Sequence, residues 1–355
     1  PRRSSRLRTW CAATRPTLLT PCRTLWRARR GSRPHDRHTP AVGTVSRALV
    51  VGGTGPTGPH IVNALLADGY EVVIYHTGAH EAEFVGEVEH RHGDARAADN
   101  IAAALGDERW DVAVCTSGRL QALAEHLSGK TGRLVGITGQ PVYAGSNLPT
   151  PTGKLPLPVA EDAQRQSDKE GYTGRVAVGE DQLFEQHAND DFETVIVRYP
   201  GIFGPRAPIN HEWAVVRRIV DKRPFMLMPH DGASYFQRGA AENVGHLVYL
   251  AATHPRAAGE AFNAGDDRVM SGLHVAETIA DELGSAIEFL GVPTELCRGV
   301  YPLAEKSSIV LDMSKRRELL GYSDVIDVEV ATRQTARWLV DNPPDEDDLR
   351  PGGHG

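Results

Sequence analysis

Residues 48–58 read ALVVGGTGPTG, an apolar run that ends in three regularly spaced glycines. The run 48–51 predicts a buried strand, and the apolar residues that recur from 61 to 66 predict a helix. Gly52, Gly55 and Gly58 lie between the two elements. In this context the first glycine makes a tight turn, the second lets the main chain approach a pyrophosphate, and the third lets the helix pack closely on the sheet. The stretch therefore predicts a dinucleotide site at the start of the first helix.

Strand-like and helix-like segments alternate along the following residues. Short apolar strands separated by helical stretches predict right-handed βαβ units and a parallel sheet that is covered on both faces. The predicted fold is α/β, a Rossmann-type doubly wound parallel sheet with a smaller mixed C-terminal substrate-binding region. After the first unit, strands are predicted at 72–75, 88–94, 111–115, 133–138, from 194 into the turn at 206, and 261–265, with helices at 101–110, 120–127, 172–187, 211–222, 241–252, 272–283 and 327–340. Residues 139–170 are rich in Gly and Pro, which is typical of a functional loop.

The composition is that of an ordinary globular protein, with 40% hydrophobic and 24% charged residues. No window approaches the roughly eighteen consecutive apolar residues of a membrane span, so we expect no membrane insertion. The four cysteines are far apart in the sequence and form no CxxC pair or Cys/His cluster, so we expect no metal site and favour a reducing cytoplasm. They are Cys11, Cys22, Cys115 and Cys297.

The net charge of −7 combines two unlike segments. Residues 1–44 contain eleven arginines and one acid, Asp36, which leaves 28 basic and 45 acidic residues and a net charge of −17 elsewhere. A basic tail can bind nucleic acid or direct import, but we interpret 1–44 as a disordered extension. The acidic remainder argues against a general nucleic-acid binder. We expect one domain over 45–340, with the cofactor part at about 45–200 and the substrate part mostly at 201–340, and a disordered acidic tail at 341–355.

The end of the second strand normally selects the cofactor, since an acid there favours NAD and an arginine favours NADP. This chain has Tyr75, His76 and Thr77 at that place, which leaves NAD and NADP both open. Asp94 and Ala95 follow the third strand, where an adenine ring would lie, and we expect them to contact it. The alternative for Asp94 is an exposed acid in a turn.

Several motifs in order resemble the extended short-chain dehydrogenase/reductases, the NAD-dependent epimerase/dehydratase group, over about residues 47–340. The motifs are GGTGPTG, HGDA, ITGQPVYAG, the helix with Tyr172 and Glu180, RYPGIFGP and EAFNAGDD. The segments HEWAVVRRIVDKRPF and AENVGHLVYLAA are similar to an atypical branch of that group. The resemblance implies a homodimer and the following cofactor contacts: Gly52, Thr54, Gly55, Pro56, Thr57, Gly58, His76, Asp94, Ala95, Thr116, Ser117, Tyr199 and Pro200.

The resemblance also implies a catalytic serine or threonine, tyrosine and lysine, of which this chain keeps only part. The tyrosine, a general acid or base, falls on Tyr172, but the lysine falls on Val176 and the serine on Gly139. Thr138 stands beside the serine position and Arg175 beside the lysine position, so both are candidate substitutes. The alternative role of Thr138 is that of a strand-end residue that caps local N–H groups. The alternative for Arg175 is a solvated arginine on a helix surface, which we favour.

Two functions follow. The first is an NAD(P)-dependent oxidoreductase or epimerase/dehydratase that acts on a small hydroxyl or carbonyl compound or a sugar nucleotide. Here the protein orients two reactants and the cofactor supplies the hydride chemistry. The second is a catalytically impaired scaffold or sensor that binds the dinucleotide, which the loss of the lysine at Val176 favours. The enzyme is preferred by analogy with the fold.

Overall fold

A computed structural model describes residues 45–144, 156–166, 171–208, 211–293 and 309–344. The predicted extension 1–44, part of the loop 139–170 and the tail from residue 345 onward lie outside the described residues.

Strands and helices alternate in the described chain as the sequence predicts. The strands are β1 (Arg47–Val51), β2 (Glu71–His76), β3 (Glu89–His92), β4 (Trp110–Cys115), β5 (Thr131–Gly139), β6 (Glu193–Tyr199), β7 (Gly201–Phe203), β8 (Phe225–Pro229), β9 (Arg238–Ala240), β10 (Glu260–Asn263) and β11 (Glu288–Val292). The helices are α1 (Gly58–Ala67), α2 (Ala98–Leu105), α3 (Leu120–Leu127), α4 (Gly171–Ala188), α5 (Trp213–Val220), α6 (Ala241–Thr253), α7 (Gly272–Glu282), α8 (Ser314–Leu320) and α9 (Val328–Asp341).

Seven strands form the central sheet in the order β10-β6-β5-β4-β1-β2-β3. Every neighbouring pair is parallel, for example β1 with β2 and β1 with β4. This confirms the Rossmann-type α/β prediction. The strand order reverses between β1 and β4, and in open α/β sheets ligands bind in the crevice outside the carboxyl ends of the strands at such a switch point.

Both faces of β1 are buried, which explains its uninterrupted apolar sequence. Ala48 and Val50 pack into one apolar cluster with residues of α1 and α6. Leu49 and Val51 point to the other face and pack with residues of α2, α3 and α4. Successive side chains of a strand alternate between the faces, so one run of four apolar residues serves two cores.

Some boundaries and elements differ from the sequence predictions. The predicted helix over 101–110 ends at Leu105, because Gly106 takes a positive φ of 54° that stops the helix. The predicted strand from 194 into the turn divides into β6 and β7. The strands β8, β9 and β11 and the helix α8 were not predicted. They form the small parallel pairs β7–β9 and β8–β11 or pack beside the main sheet.

An apolar cluster joins the C-terminal helices α5, α7 and α9. Its buried members include Val215 and Val216 of α5, Ile279 of α7 and Leu339 of α9. Within the described ranges, no helix is both long and apolar enough to cross a bilayer.

The contact of α6 with the sheet gives a stability prediction. Leu247 of α6 is fully buried, and Leu247→Ala should lower the free energy of unfolding by about 2–5 kcal/mol through lost burial and a residual cavity. Denaturant unfolding followed by circular dichroism measures this change. The control Val330→Ala removes a side chain that is 46% exposed on α9 and should cost less than about 1 kcal/mol. Equal losses in the two variants would contradict the assignment of Leu247 to the core.

Candidate functional site

The loop between β1 and α1 has a backbone that requires glycine. Gly52 and Gly53 take positive φ values of 101° and 81°, and the N–H of Gly52 donates to the carbonyl of Tyr75 at 2.9 Å. At the start of α1, a Cβ on Gly58 would lie only 2.2 Å from the carbonyl oxygen of Gly53. The first turn of α1 therefore packs against the end of β1 at a distance that no side chain permits.

The same loop leaves its outer side and the helix start open. Gly55 is exposed, and a Cβ placed on it would meet no protein atom within 4 Å. Thr57 occupies the N-cap position but makes no capping hydrogen bond with its side chain. Its hydroxyl oxygen instead lies 3.1 Å from the hydroxyl oxygen of Tyr199. In the first turn of α1 the N–H of Gly58 donates to the carbonyl of Gly55 at 3.1 Å and Pro59 has no N–H, and no side chain caps the helix start. Thr54 and Pro56, also predicted contacts, are half-buried on this turn.

The carboxyl ends of β1 and β4 meet beside this loop. The Thr116 hydroxyl donates to the carbonyl of Val51 at 2.8 Å. A Cβ on Gly52 would lie 2.1 Å from Thr116 Oγ1 and 3.0 Å from Ser117 Oγ. The structure therefore brings Thr116 and Ser117 together with the glycine loop at the switch point of the sheet. Their contact with a dinucleotide stays a prediction.

The residues predicted at the adenosine end lie at the carboxyl ends of β2 and β3. His76 is buried, and burial lowers the pKa of its imidazole. The exposed Asp94 accepts a hydrogen bond from the N–H of Arg96 at 2.9 Å, whereas Ala95 is buried. The Asp94 carboxylate thus stabilises its own turn, and its contact with an adenine ring stays a prediction. The end of β2 holds neither an acid nor an arginine, so the structure leaves NAD and NADP both open.

Tyr199 is the last residue of β6, and Pro200 follows it. The Tyr199 phenol reaches across the sheet to Thr57, and burial raises its pKa far above the usual range. Pro200 is buried. These two residues therefore connect β6 with the glycine loop, and their contact with the nicotinamide end stays a prediction.

A buried polar network lies at the carboxyl ends of β5 and β6. Glu180 of α4 is fully buried, and its carboxylate accepts from Arg198 Nε at 3.0 Å and from Arg198 Nη2 at 2.7 Å. Thr138 Oγ1 donates to the same carboxylate at 2.7 Å, and Arg165 Nη1 donates at 3.2 Å. The two-pronged pairing with Arg198 and the two further donors compensate the cost of burying the Glu180 charge.

The Arg198 guanidinium also organises the neighbouring phenol. Its Nη1 donates to Tyr143 Oη at 3.0 Å and to the carbonyl of Glu161 at 2.8 Å. Tyr143 Oη in turn donates to Asn263 Oδ1 at 2.5 Å. Burial raises the pKa of Tyr143 to about 12, so it stays a neutral phenol at physiological pH. Burial alone would lower the pKa of Arg198, but the hydrogen bonds and charge of Glu180 outweigh burial and raise it.

The three predicted catalytic residues have different environments. Tyr172 lies in the first turn of α4, and its side chain is outside the described residues. Thr138 commits its hydroxyl hydrogen to Glu180, so its oxygen is left as an acceptor. Arg175 is exposed on α4, as expected of a solvated surface arginine. Val176 packs against the apolar cluster that contains Val142 and Tyr143, so the lysine position serves packing.

Sequence reasoning missed the partners of Glu180. Arg198 is part of the RYPGIFGP motif and Arg165 lies in the 139–170 loop, but neither was assigned a role. The sequence does contain a signal for the Glu180–Arg198 pair. The acid lies on α4 and the arginine lies near the end of β6, and these two elements follow each other directly in the chain. Asn263 in EAFNAGDD has no such local signal, since its contact with Tyr143 spans 120 residues.

No family model matches the chain. Among curated proteins, an uncharacterized protein of Sinorhizobium fredii is 24% identical over 182 residues, 44% of this chain and 50% of that protein. An uncharacterized protein of Escherichia coli is 24% identical over 181 residues, 44% of this chain and 52% of that protein. The chain therefore spans about half the length of the curated relatives it matches.

Solved structures match a much larger part of the chain. An epimerase of Methanothermobacter thermautotrophicus has a TM-score of 0.69 at 17% identity and covers 84% of this chain and 93% of its own. The chain has the extended short-chain dehydrogenase/reductase fold. A UDP-glucose 4-epimerase of Thermotoga maritima, solved with UDP-glucose, has a TM-score of 0.68 at 16% identity over 84% of this chain and 100% of its own. The Bordetella bronchiseptica enzyme WbmG in complex with NAD and UDP has a TM-score of 0.65 at 17% identity over 84% of this chain and 96% of its own.

The extended short-chain dehydrogenase/reductase fold explains why the predicted residues converge. The residues of the β1–α1 loop, the end of β4 and the end of β6 are distant in sequence, but all lie at the carboxyl edge of one parallel sheet. Loops at this edge form the ligand crevice of such folds. The Glu180–Arg198 network borders the same edge from the side of α4.

The buried network gives a second stability prediction. Glu180→Gln should lower the free energy of unfolding by about 3–5 kcal/mol, because it leaves the buried Arg198 guanidinium without its counter-charge. Chemical denaturation with urea measures the loss.

Asp181→Asn is the matched control for Glu180→Gln. Asp181 is also an acid of α4 and also pairs with Arg165, but its side chain is 56% exposed. Its substitution should cost less than about 1 kcal/mol. If Glu180→Gln proved as mild as Asp181→Asn, the network would not hold the site together.

Proposed function

We propose that this protein binds NAD or NADP through the β1–α1 loop and acts as an oxidoreductase or epimerase/dehydratase on a small hydroxyl or carbonyl compound. Sugar nucleotides are the substrate class that we would test first. The observation that supports this proposal most strongly is the open cradle around Gly55. The main chain there is free of side chains on its outer face, beside a helix start that has no side-chain cap.

The residues present fit a dinucleotide diphosphate. Gly55 permits main-chain approach by a ligand, whereas Gly52 and Gly58 allow the tight turn and the close packing that hold it in place. The positive end of α1 favours an anion. The first turn of α1 contains no acidic residue that would repel phosphate. The two structural neighbours solved with NAD and UDP and with UDP-glucose suggest the ligand classes to test, although identities of 16–17% carry only the fold.

The nicotinamide ring, when bound, accepts or donates a hydride. The protein's own contribution would be to orient the substrate and to move a proton. Tyr172, at the start of α4, is proposed as the acid or base. Thr138, whose hydroxyl hydrogen is held by Glu180, is proposed to fix the geometry near the substrate and to accept a hydrogen bond from it. Arg175 is retained as a weaker candidate, because an exposed guanidinium lies next to the lysine position.

A second candidate function is a dinucleotide-binding scaffold or sensor that catalyses no reaction. Its supporting observation is the apolar packing of Val176, which replaces the amine expected there. A neighbouring ammonium would lower the pKa of a tyrosine and make its phenolate available as a base, and this chain has no amine at that position. The cytoplasmic location expected from the cysteines and the homodimer expected from the resemblance stay predictions.

Dinucleotide binding tests the cradle. Gly55→Ala should leave the unfolding temperature unchanged, because the added methyl meets no protein atom, but should weaken NAD or NADP binding at least about tenfold by blocking the diphosphate. Isothermal titration calorimetry with both dinucleotides measures the affinity.

Two further glycine variants separate binding from folding. Gly58→Ala forces the methyl against Gly53 and should lower both affinity and stability, the latter by about 1–3 kcal/mol. In Gly86→Ala the added methyl makes ordinary contact with Leu66, so neither property should change. Undiminished dinucleotide binding by Gly55→Ala would refute the proposed position of the diphosphate.

Turnover tests the role of Tyr172. Tyr172→Phe should lower kcat about 100-fold or more on whichever sugar nucleotide or carbonyl compound the wild-type protein converts, with dinucleotide affinity within twofold. The control Tyr70→Phe removes a phenol just before the amino end of β2, away from the crevice, and should be neutral. Tight binding with no turnover by the wild-type protein on either substrate class would favour the scaffold.

A further inference from the structure

Three histidines meet where β2 and β3 end. In the parallel register of these strands, His76 of β2 pairs with His92 of β3, and His90 lies two residues before His92. Side chains two residues apart on a strand share a face of the sheet. The register therefore places all three imidazoles on one face, and their ring centroids lie 4.7–6.4 Å apart.

A carboxylate completes the group. Glu81 lies in the connection between the two strands, and its oxygens are 3.3 Å from His90 Nδ1 and 3.6 Å from His92 Nε2. His76 Nε2 is 3.2 Å from His90 Nδ1. One ligand atom from each of the four residues lies within 4.8 Å of all the others.

These separations match the edges of a metal-centred tetrahedron. With zinc–nitrogen and zinc–oxygen bonds of about 2.0–2.1 Å, neighbouring ligand atoms lie about 3.3 Å apart. Two pairs already have this separation, His76 Nε2 with His90 Nδ1 at 3.2 Å and His90 Nδ1 with one Glu81 oxygen at 3.3 Å. His92 Nε2 lies 3.6 Å from the other Glu81 oxygen, and the four ligand atoms lie within 4.8 Å of one another, so a tetrahedron needs only modest side-chain movement. The side chains of Glu81 and His92 are more than half exposed, at 58% and 56%, which gives an ion a path from solvent.

The segment that connects β2 to β3 has no regular structure to hold it against the sheet. Parallel neighbours usually require a crossover with a helix, but residues 77–88 join β2 to β3 with no helix or strand. Glu81 lies within this irregular segment, whereas the three histidines lie on the strands that it joins. An ion held by all four residues would fasten the segment to the sheet.

We propose that His76, Glu81, His90 and His92 form a tetrahedral site for a divalent transition metal ion, with Zn²⁺ as the expected occupant. Imidazole nitrogens with one carboxylate are a ligand set that suits zinc. The inference departs from the prediction of no metal site, and it gives His76, which was predicted to contact the dinucleotide, a different role. It does not depend on the proposed function, because Glu81, His90 and His92 are not among the predicted cofactor contacts. The site would be structural, since four protein ligands fill the tetrahedron.

The test is metal binding by the full chain after removal of metal with a chelator. Co²⁺ titration should give the intense visible absorption of tetrahedral cobalt, and Zn²⁺ should displace it with a stoichiometry of one ion per chain at this site. His90→Gln and Glu81→Gln should each weaken Zn²⁺ binding at least about tenfold and reduce the cobalt absorption. Zn²⁺ should raise the unfolding temperature of the wild-type protein more than that of either variant.

His80→Gln is the matched control, since His80 is an exposed histidine of the same segment that lies outside the cluster. It should bind Zn²⁺ and Co²⁺ like the wild-type protein. Circular dichroism of the metal-free variants should match the wild-type spectrum, because both changes are at the protein surface. The proposal is overturned if His90→Gln and Glu81→Gln retain wild-type affinity, or if His80→Gln weakens binding as much as they do. Absence of a tetrahedral cobalt spectrum in the wild-type protein would overturn it as well.

Discussion

The backbone of Gly58 lies against the carbonyl group of Gly53, closer than any side chain allows. This approach determines how α1 leaves β1 and therefore how the helix covers the first face of the sheet. It also places the first turn of α1 beside the carboxyl ends of β1 and β4, where the strand order reverses. The position of the open loop at Gly55, and with it the whole candidate crevice, depends on this contact.

The sequence predicts the central sheet well because its strands are buried on both faces. An uninterrupted apolar run such as 48–51 indicates a strand without knowledge of its partners. The short strands β8 and β11 lack that signal because they are partly exposed. The strand β9 is buried but has only three residues, and it pairs with β7 across a long stretch of sequence. The end of α2 was also misplaced, because the helical pattern continues past Gly106 although the backbone turns there.

The candidate site also has one part that the sequence predicts and another that it does not. The glycine loop is local and was predicted residue by residue, whereas the Glu180 network joins α4, β5 and β6 through side chains whose directions the sequence does not show. The absence of the lysine was visible at Val176, but only the structure shows that this position belongs to an apolar cluster. The spacing of the histidines in the sequence does not indicate a cluster, because His76 and His92 are sixteen residues apart. Only the register of β2 and β3 brings them together.

The strand β3 lies at the edge of the sheet, and its sequence of four residues has a consequence for self-association. Glu89, His90, Arg91 and His92 are all polar, and three of the four are exposed. An exposed strand edge invites another chain to continue the hydrogen-bond ladder, which is one route to aggregation. A short edge strand with charged and titratable side chains discourages such addition. The strand β3 therefore terminates the sheet and also protects the protein from polymerising through the sheet edge.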